Sequence, residues 1–288
     1  MRQQSGNRNK LKDTLGGGDA VKGRVLIVAG SDSGGGAGIQ ADVKTVTALG
    51  GYCGTAITVL TAQDTKTVAR VEPVSADMVA QQMHMMLDDI GVDCIKTGML
   101  YSNDIIEAVA DVIDAKARDI PLVVDPVLVA KSGDSLLEED AMQAFKARLI
   151  LRASVITPNI PEAEMLTGFA VESRDDMVHA AETMHTLGVP AVLLKGGHMI
   201  GERVIDVLQT DDGLELFEAE RIDSSHTHGT GCTLASAIAT GLAQGMTLRD
   251  AVKRGREYVR RAILAAPGFG GGHGPMDHTV TVRPIEQY

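Results

Sequence analysis

The stretch His226-Thr-His-Gly-Thr-Gly-Cys-Thr-Leu-Ala-Ser-Ala237 sets glycines, hydroxyls and one thiol directly before an apolar helix. Gly229 and Gly231 let the backbone turn its N–H groups toward one point, and the helix adds its own unpaired N–H groups and positive dipole end there. Such a cup suits an anion, most often a phosphate. Cys232 lies at its lip, and a thiol at a helix N-terminus is expected to have a lowered pKa. A phosphate cradle with an ionisable residue at the rim points to phosphoryl transfer. The same residues also fit a helix that merely begins after a tight glycine turn, with a buried cysteine.

Further candidates are scattered along the chain. Asp125 precedes a proline, where it can bind a metal or a metal-bound water or simply close an Asx turn. Asn159 and Glu162 open a helix in Asn-Ile-Pro-Glu; the carboxylate can hold water on Mg²⁺ or only complement the helix dipole. Lys195 ends a very apolar strand, where it can face phosphates or snorkel to the surface. Asp42 and Lys44 lie on the first helix; Asp42 can reach a substrate, and Lys44 is better read as a solvated face. Gly36-Ala-Gly-Ile-Gln-Ala41 matches GxGxxA, but Gln63-Asp64 is a poor substitute for the acidic residue a dinucleotide site needs. GxxxxGK[ST], HEXXH and GxSxG patterns are absent. Met83–Met86 reads as core, and the histidines show no metal-ligand spacing.

These groups must be positioned by a regular frame. Short β-branched runs at Val25–Ala29, Cys53–Leu60, Cys94–Lys96, Leu122–Val124, Val155–Ile156 and Ala191–Lys195 read as strands. They alternate with amphipathic helical stretches near 38–49, 76–90, 102–118, 139–149 and 173–187, a pattern that predicts a parallel sheet with helices on both faces. Val204–Leu208 and Gly213–Phe217, divided by Thr210-Asp-Asp-Gly213, read as an antiparallel hairpin. Two helices follow, at 231–244 and 247–265. Polar or flexible residues close six strands in turn: the Gly30–Gly38 loop, Thr61–Asp64, Thr97–Met99, Asp125-Pro126, Thr157–Glu162 and Lys195–His198. Ligands of open parallel sheets bind at that edge, so the six ends predict one extended site.

Bulk properties narrow the classes. A chain of 288 residues with 44% hydrophobic and 23% charged residues is ordinary for a soluble globular protein. Aromatics are 3% and Trp is absent, so the core rests on aliphatic side chains. A net charge of −11 argues against nucleic acid as the main partner. No apolar run reaches the roughly 18 residues of a membrane span, and no signal peptide is visible. Cys53, Cys94 and Cys232 fit free thiols in a reducing cytoplasm and give no zinc site. Residues 1–22 are polar and aperiodic and read as a mobile tail. Residues 23–288 read as one α/β domain.

The sequence resembles the ribokinase-like superfamily, and within it the hydroxymethylpyrimidine/phosphomethylpyrimidine kinases of thiamine biosynthesis. The resemblance runs from Val25 to about His278. It is carried by Ala29–Thr45, Ala62-Gln63, Lys96–Leu100, Asp125–Val127, Ala130–Leu137, Ile156–Ala163, Leu194–His198, Thr227–Thr233 and Gly272–Pro275. It implies a three-layer α/β/α sandwich with a mostly parallel central sheet, and ATP-dependent phosphorylation of 4-amino-5-hydroxymethyl-2-methylpyrimidine and then of its monophosphate. By position it implies that Gln63 holds the pyrimidine, with Asp42, Gly30, Met99 and Val127 lining the pocket. Gly229, Thr230 and Gly231 would form the anion hole, with Cys232 as the base where sugar kinases of the superfamily carry Asp. Lys195 and Asn159 would serve ATP, and Asp125 and Glu162 would organise Mg²⁺ through water. A monovalent cation such as K⁺ is a further candidate cofactor, a homodimer the expected assembly, and 131–137 a candidate lid. Pyridoxal kinase is the alternative enzyme. A non-catalytic pyrimidine sensor and a dinucleotide oxidoreductase are readings from other classes.

Overall fold

The computed structural model describes residues 22–128 and 139–282. Residues 1–21 of the tail read at 1–22, the lid at 131–137 and the motif Ala130–Leu137 lie outside the described residues. Nine strands form one sheet: β1 (Arg24–Asp32), β2 (Tyr52–Gln63), β3 (Val68–Pro73), β4 (Cys94–Thr97), β5 (Leu122–Val124), β6 (Val155–Ile156), β7 (Ala191–Leu194), β8 (Arg203–Thr210) and β9 (Gly213–Glu220). Their order is β3-β2-β1-β4-β5-β6-β7-β8-β9. Strands β2, β1 and β4–β7 pair in parallel, whereas β3, β8 and β9 join antiparallel. The chain winds outward from β1 to β3 and then returns to β4 on the other side of β1, so the β1/β4 crevice is the switch point of the sheet.

The described helices are α1 (Gly38–Ala48), α2 (Ala76–Met85), α3 (Asn103–Lys116), α4 (Glu139–Ala144), α5 (Ile160–Thr167), α6 (Arg174–Thr186), α7 (Thr230–Ala243) and α8 (Leu248–Leu264). Val25, Ile27 and Ala29 pack with Ile39, Val46, Leu234, Ile238 and Val252 of α1, α7 and α8. Leu26 and Val28 point the other way, into a core with Val79, Met83, Ile106, Val109, Phe145 and Met177 of α2, α3, α6 and the α4 segment. The period-two alternation of one buried strand thus feeds two cores, which is why β1 reads as an unbroken apolar run. The expected three layers are present.

Some boundaries differ from expectation. The stretches 76–90 and 139–149 each begin as an α-helix and end in a wider turn, at Met86–Ile90 and Phe145–Ile150. Strand β3 escapes the sequence pattern because it is short and mostly exposed and ends on Pro73, as an edge strand can. Of the methionine run, Met83 is core, while Met85 is 62% exposed. Among the described residues no helix is long and apolar enough to cross a membrane.

Candidate active site

Most described helices begin with a side-chain cap: Ser75, Ser102, Asn159, Ser173 and Thr247 each accept a backbone N–H. Two of the starts, α1 and α7, have none. Both point at the same place, the carboxyl edge of β1 and β4. At α7 the Gly231 and Cys232 N–H groups have no backbone acceptor among the described residues, as in anion-binding helix termini, whereas at α1 the Ala37 N–H goes to Asp32 and the Gly38 N–H to Cys232.

The two glycine loops that open these helices interlock. Gly229 caps α7 in the left-handed region (φ 80°), and a Cβ there would collide with the Gly36 carbonyl. A Cβ on Gly36 would lie 2.7 Å from His228 Cδ2. Glycine is required at both for close approach, and at Gly229 also for φ. Beneath them Asp32, at the end of β1, accepts N–H bonds from Gly34 (2.8 Å), Gly36 (3.1 Å) and Ala37 (2.8 Å) and pairs with His228 Nε2 at 3.0 Å. Burial opposes ionisation of Asp32, but the His228 bond and the backbone donors outweigh it and hold the carboxyl below its ordinary range. Gln63 Nε2 lies 3.3 Å from the same His228 nitrogen, so the residue implied for pyrimidine binding sits beside the cup. Gly30 is buried with the Met99 sulfur beside it, and Val127 follows Asp125 on the neighbouring strand end.

Charged groups follow the strand ends. Lys96 of β4 and Asp42 of α1 form a fully buried pair (3.0 and 3.1 Å), and Ser236 of α7 donates to the same carboxylate at 2.6 Å. Asp42 therefore lies below the site and does not line an open pocket. Burial would lower the Lys96 pKa, but Asp42, and after it Cys232 and Asp125, keep it above normal. Lys195 meets Asp125 at 2.9 Å, and Thr157 donates to Asp125 at 2.9 Å. The Lys195 side chain is 13% exposed, so it turns inward and does not snorkel. Its ammonium would lie 3.2 Å from a Cβ on Gly231, which puts the lysine against the first turn of α7.

Glu162 and Asn159 make a reciprocal capping box at the start of α5: Asn159 N–H donates to the carboxylate at 2.7 Å, and Glu162 N–H to the Asn159 oxygen at 3.0 Å. Both residues serve the helix start. The carboxyl is nonetheless pushed up to about 7, by burial and by the charge of Asp125, against the pull of Lys195. Among the described residues no group of three or more His, Cys, Asp and Glu forms a ready metal cage. Two carboxylates beside phosphate space fit a cation that keeps part of its water shell.

Cys232 departs from expectation. Its sulfur takes the Gly38 N–H at the start of α1, yet the thiol is pushed up to about 11. Burial is the largest cause, and Asp42 and Asp125 add to it; Lys96 and the Gly38 N–H oppose without prevailing. A local helix dipole is smaller than desolvation between two carboxylates.

Sequence reasoning left Asp32, Lys96, His228, Thr157 and Ser236 without roles. Lys96 inside an apolar strand carries the same signal that singled out Lys195, and His228 directly precedes the first glycine of the cup. The His228 partner of Asp32 and the Asp42 partner of Ser236 are far away in sequence and had no local signal.

Comparison with known proteins gives the family and the fold. The family model for phosphomethylpyrimidine kinase matches residues 32–277. The hydroxymethylpyrimidine/phosphomethylpyrimidine kinase of Streptomyces coelicolor is 46% identical over 254 residues, covering 88% of this chain and 93% of its own. The thiamine biosynthesis bifunctional protein ThiED of Geobacter sulfurreducens is 48% identical over 92% of this chain, which spans 54% of that longer protein. Among solved structures, the pyridoxal kinase of Bacillus subtilis in complex with ADP superimposes with a TM-score of 0.84 at 38% identity, covering 90% of this chain and 98% of that one. The phosphomethylpyrimidine kinase of Clostridium difficile gives 0.75 at 40% identity, covering 84% and 100%. The family model spans most of the chain and the Streptomyces coelicolor relative is matched over nearly its whole length, so this chain belongs to the phosphomethylpyrimidine kinase family.

Proposed function

We propose that this site moves the γ-phosphoryl group of ATP onto the 5-hydroxymethyl oxygen of 4-amino-5-hydroxymethyl-2-methylpyrimidine, and then onto the phosphate of the resulting monophosphate, in thiamine biosynthesis. The observation that carries the reading is the pair of uncapped helix starts, α1 and α7, interlocked around Gly229 and faced by Lys195.

In this reading Gln63 holds the pyrimidine over Gly30, Met99 and Val127. The cup Gly229-Thr230-Gly231 receives the transferring group: neither Gly231 nor Cys232 gives its N–H to a backbone acceptor among the described residues. Donors aimed where charge develops suit a loose phosphoryl-transfer transition state. Lys195 neutralises phosphate oxygens from its seat on Asp125. The hydroxyl oxygen bonds to the γ-phosphorus, the bond to the β–γ bridging oxygen breaks, ADP leaves, and the hydroxyl proton passes to Cys232 Sγ. Asp125 and Glu162 fit Mg²⁺ through water, since the depressed ionisation of Glu162 is what a divalent cation relieves; when bound, the ion offsets phosphate charge. Asn159, as the cap of α5, orients Glu162.

Pyridoxal is the second acceptor to weigh, because of the 0.84 superposition on the Bacillus subtilis pyridoxal kinase. Steady-state kinetics on hydroxymethylpyrimidine, its monophosphate and pyridoxal, with ADP release as the readout, test the reading. Pyrimidine-dependent ADP release in two resolved steps is expected. Release with pyridoxal alone would transfer the assignment to vitamin B6, and none with any acceptor would leave a binding protein.

A further inference from the structure

The C-terminal segment after α8 runs back across the molecule and fastens the loops that shape the cup. His273 N–H donates to the Thr65 carbonyl (2.9 Å), and Gly272 N–H to the Thr65 hydroxyl (3.2 Å), in the β2–β3 turn just beyond Gln63. Next, His228 N–H donates to the Gly274 carbonyl (3.2 Å), and Pro275 pairs with His228 as an isolated bridge. Pro275 also stands 3.3 Å from where a Gly36 Cβ would be. Then Asp277 N–H donates to Ala262 of α8 (3.0 Å), and Tyr258 OH of α8 donates to the His278 carbonyl (2.8 Å). The strap therefore touches the glycine loop, the residue before Gly229, and the turn that holds Gln63.

At its end His278 is buried, and its Nε2 lies 3.0 Å from the hydroxyl of Thr233, which is fully buried in the first turn of α7 next to Cys232. The Met276 carbonyl accepts from the same ring, an arrangement that fits Nε2 as the acceptor of the Thr233 hydroxyl proton. The ring stays neutral because burial first, and Lys44 second, press its pKa down to about 4, against the opposing pull of Asp277. Its acceptor is thus available throughout the working pH range. α7 begins without a side-chain cap, and the Thr233–His278 bond is a contact on its first turn from outside the helix.

We infer that His278 is a positioning residue, which through Thr233 holds the first turn of α7, and with it Cys232 and Gly231, in register for phosphoryl transfer. The inference rests on the phosphoryl-transfer reading of the cup, not on which acceptor is used. Displacement of such donors by an ångström costs rate far more than it costs substrate binding.

The test compares His278→Leu, His278→Gln and Thr233→Val in the full chain, with whichever of hydroxymethylpyrimidine or pyridoxal the wild type phosphorylates. His278→Leu and Thr233→Val are expected to lower kcat about tenfold or more, with KM for both substrates within about twofold. His278→Gln, whose amide oxygen can accept the same proton, is expected to recover most of the loss. The double variant should be no slower than the worse single one, since both remove one bond. Should His278→Leu not fold, Thr233→Val still reads the bond from the other side. Wild-type kcat in folded Thr233→Val, or losses confined to thermal stability, would overturn the inference. Wild-type inactivity on hydroxymethylpyrimidine together with the expected losses on pyridoxal would sink the substrate reading alone.

Discussion

The two transfers proposed for this site make different demands on Cys232. In the first, the nucleophile is an aliphatic hydroxyl that must lose its proton during attack. In the second it is a phosphate monoester, whose second pKa of about 6 leaves it deprotonated at neutral pH. With the thiol at about 11, roughly three molecules in ten thousand hold a thiolate at pH 7.5, so forming it costs about 5 kcal/mol. Cys232→Ala should therefore cut kcat of the first transfer by about 10²–10⁴-fold, the usual worth of a positioned base, and of the second by less than about tenfold. The sign of the pH response follows from the raised pKa: thiolate grows as pH rises. The first transfer should accelerate about tenfold per unit between pH 7 and 9, and the second should stay flat once the phosphate is dianionic. The assay supplies the pyrimidine and its monophosphate separately and resolves mono- from diphosphate by phosphorus NMR. Equal losses in both steps, or a first step that survives Cys232→Ala at near wild-type rate, would refute the assignment of Cys232 as base.

Other variants probe the frame around it. Gly229→Ala forces a Cβ into the Gly36 carbonyl at φ 80°; urea melts should show a loss of about 1–3 kcal/mol or more, accompanied by collapse of turnover. Lys96→Met or Asp42→Leu alone strands a buried charge and should destabilise by about 3–5 kcal/mol, while the double variant, also read by urea melts, should regain much of that. Glu162 rises from 4.5 to about 7 on folding, so the metal-free protein binds its proton more tightly than the unfolded chain does. That contribution is full below pH 4.5 and lost as pH rises through 7, roughly 3 kcal/mol in all. Thermal melts against pH should show this decline in the wild type and not in Glu162→Gln.

Much of the frame was legible along the chain. Strands β5 and β6 have the expected ends, and the Thr210–Gly213 turn joins an antiparallel pair through a two-residue loop. These elements are buried on both faces or bounded by turn residues, and the pattern of apolar residues is then the pattern of the fold. Strand β3 was not legible, since an exposed edge strand has no buried face to write a period into its sequence. Within the site, the inward turn of Lys195 was open between two readings, because its partner Asp125 is 70 residues away.

What the residues determined by themselves is local: where the chain must turn, which helix starts lack a capping side chain, and that a thiol stands at the lip of a glycine cup. Glycine conformations and helix termini depend on neighbours a few positions off, so they can be read directly. The state of that thiol was decided elsewhere. Ser236 reaches Asp42 across 194 residues, and His228 reaches Asp32 across 196. Folding sets two carboxylates and the low-dielectric interior around Cys232, and their combined effect exceeds that of the helix start, raising a pKa that the sequence alone had suggested was lowered. Desolvation and charge depend on distances in space, and the tertiary structure alone supplies those.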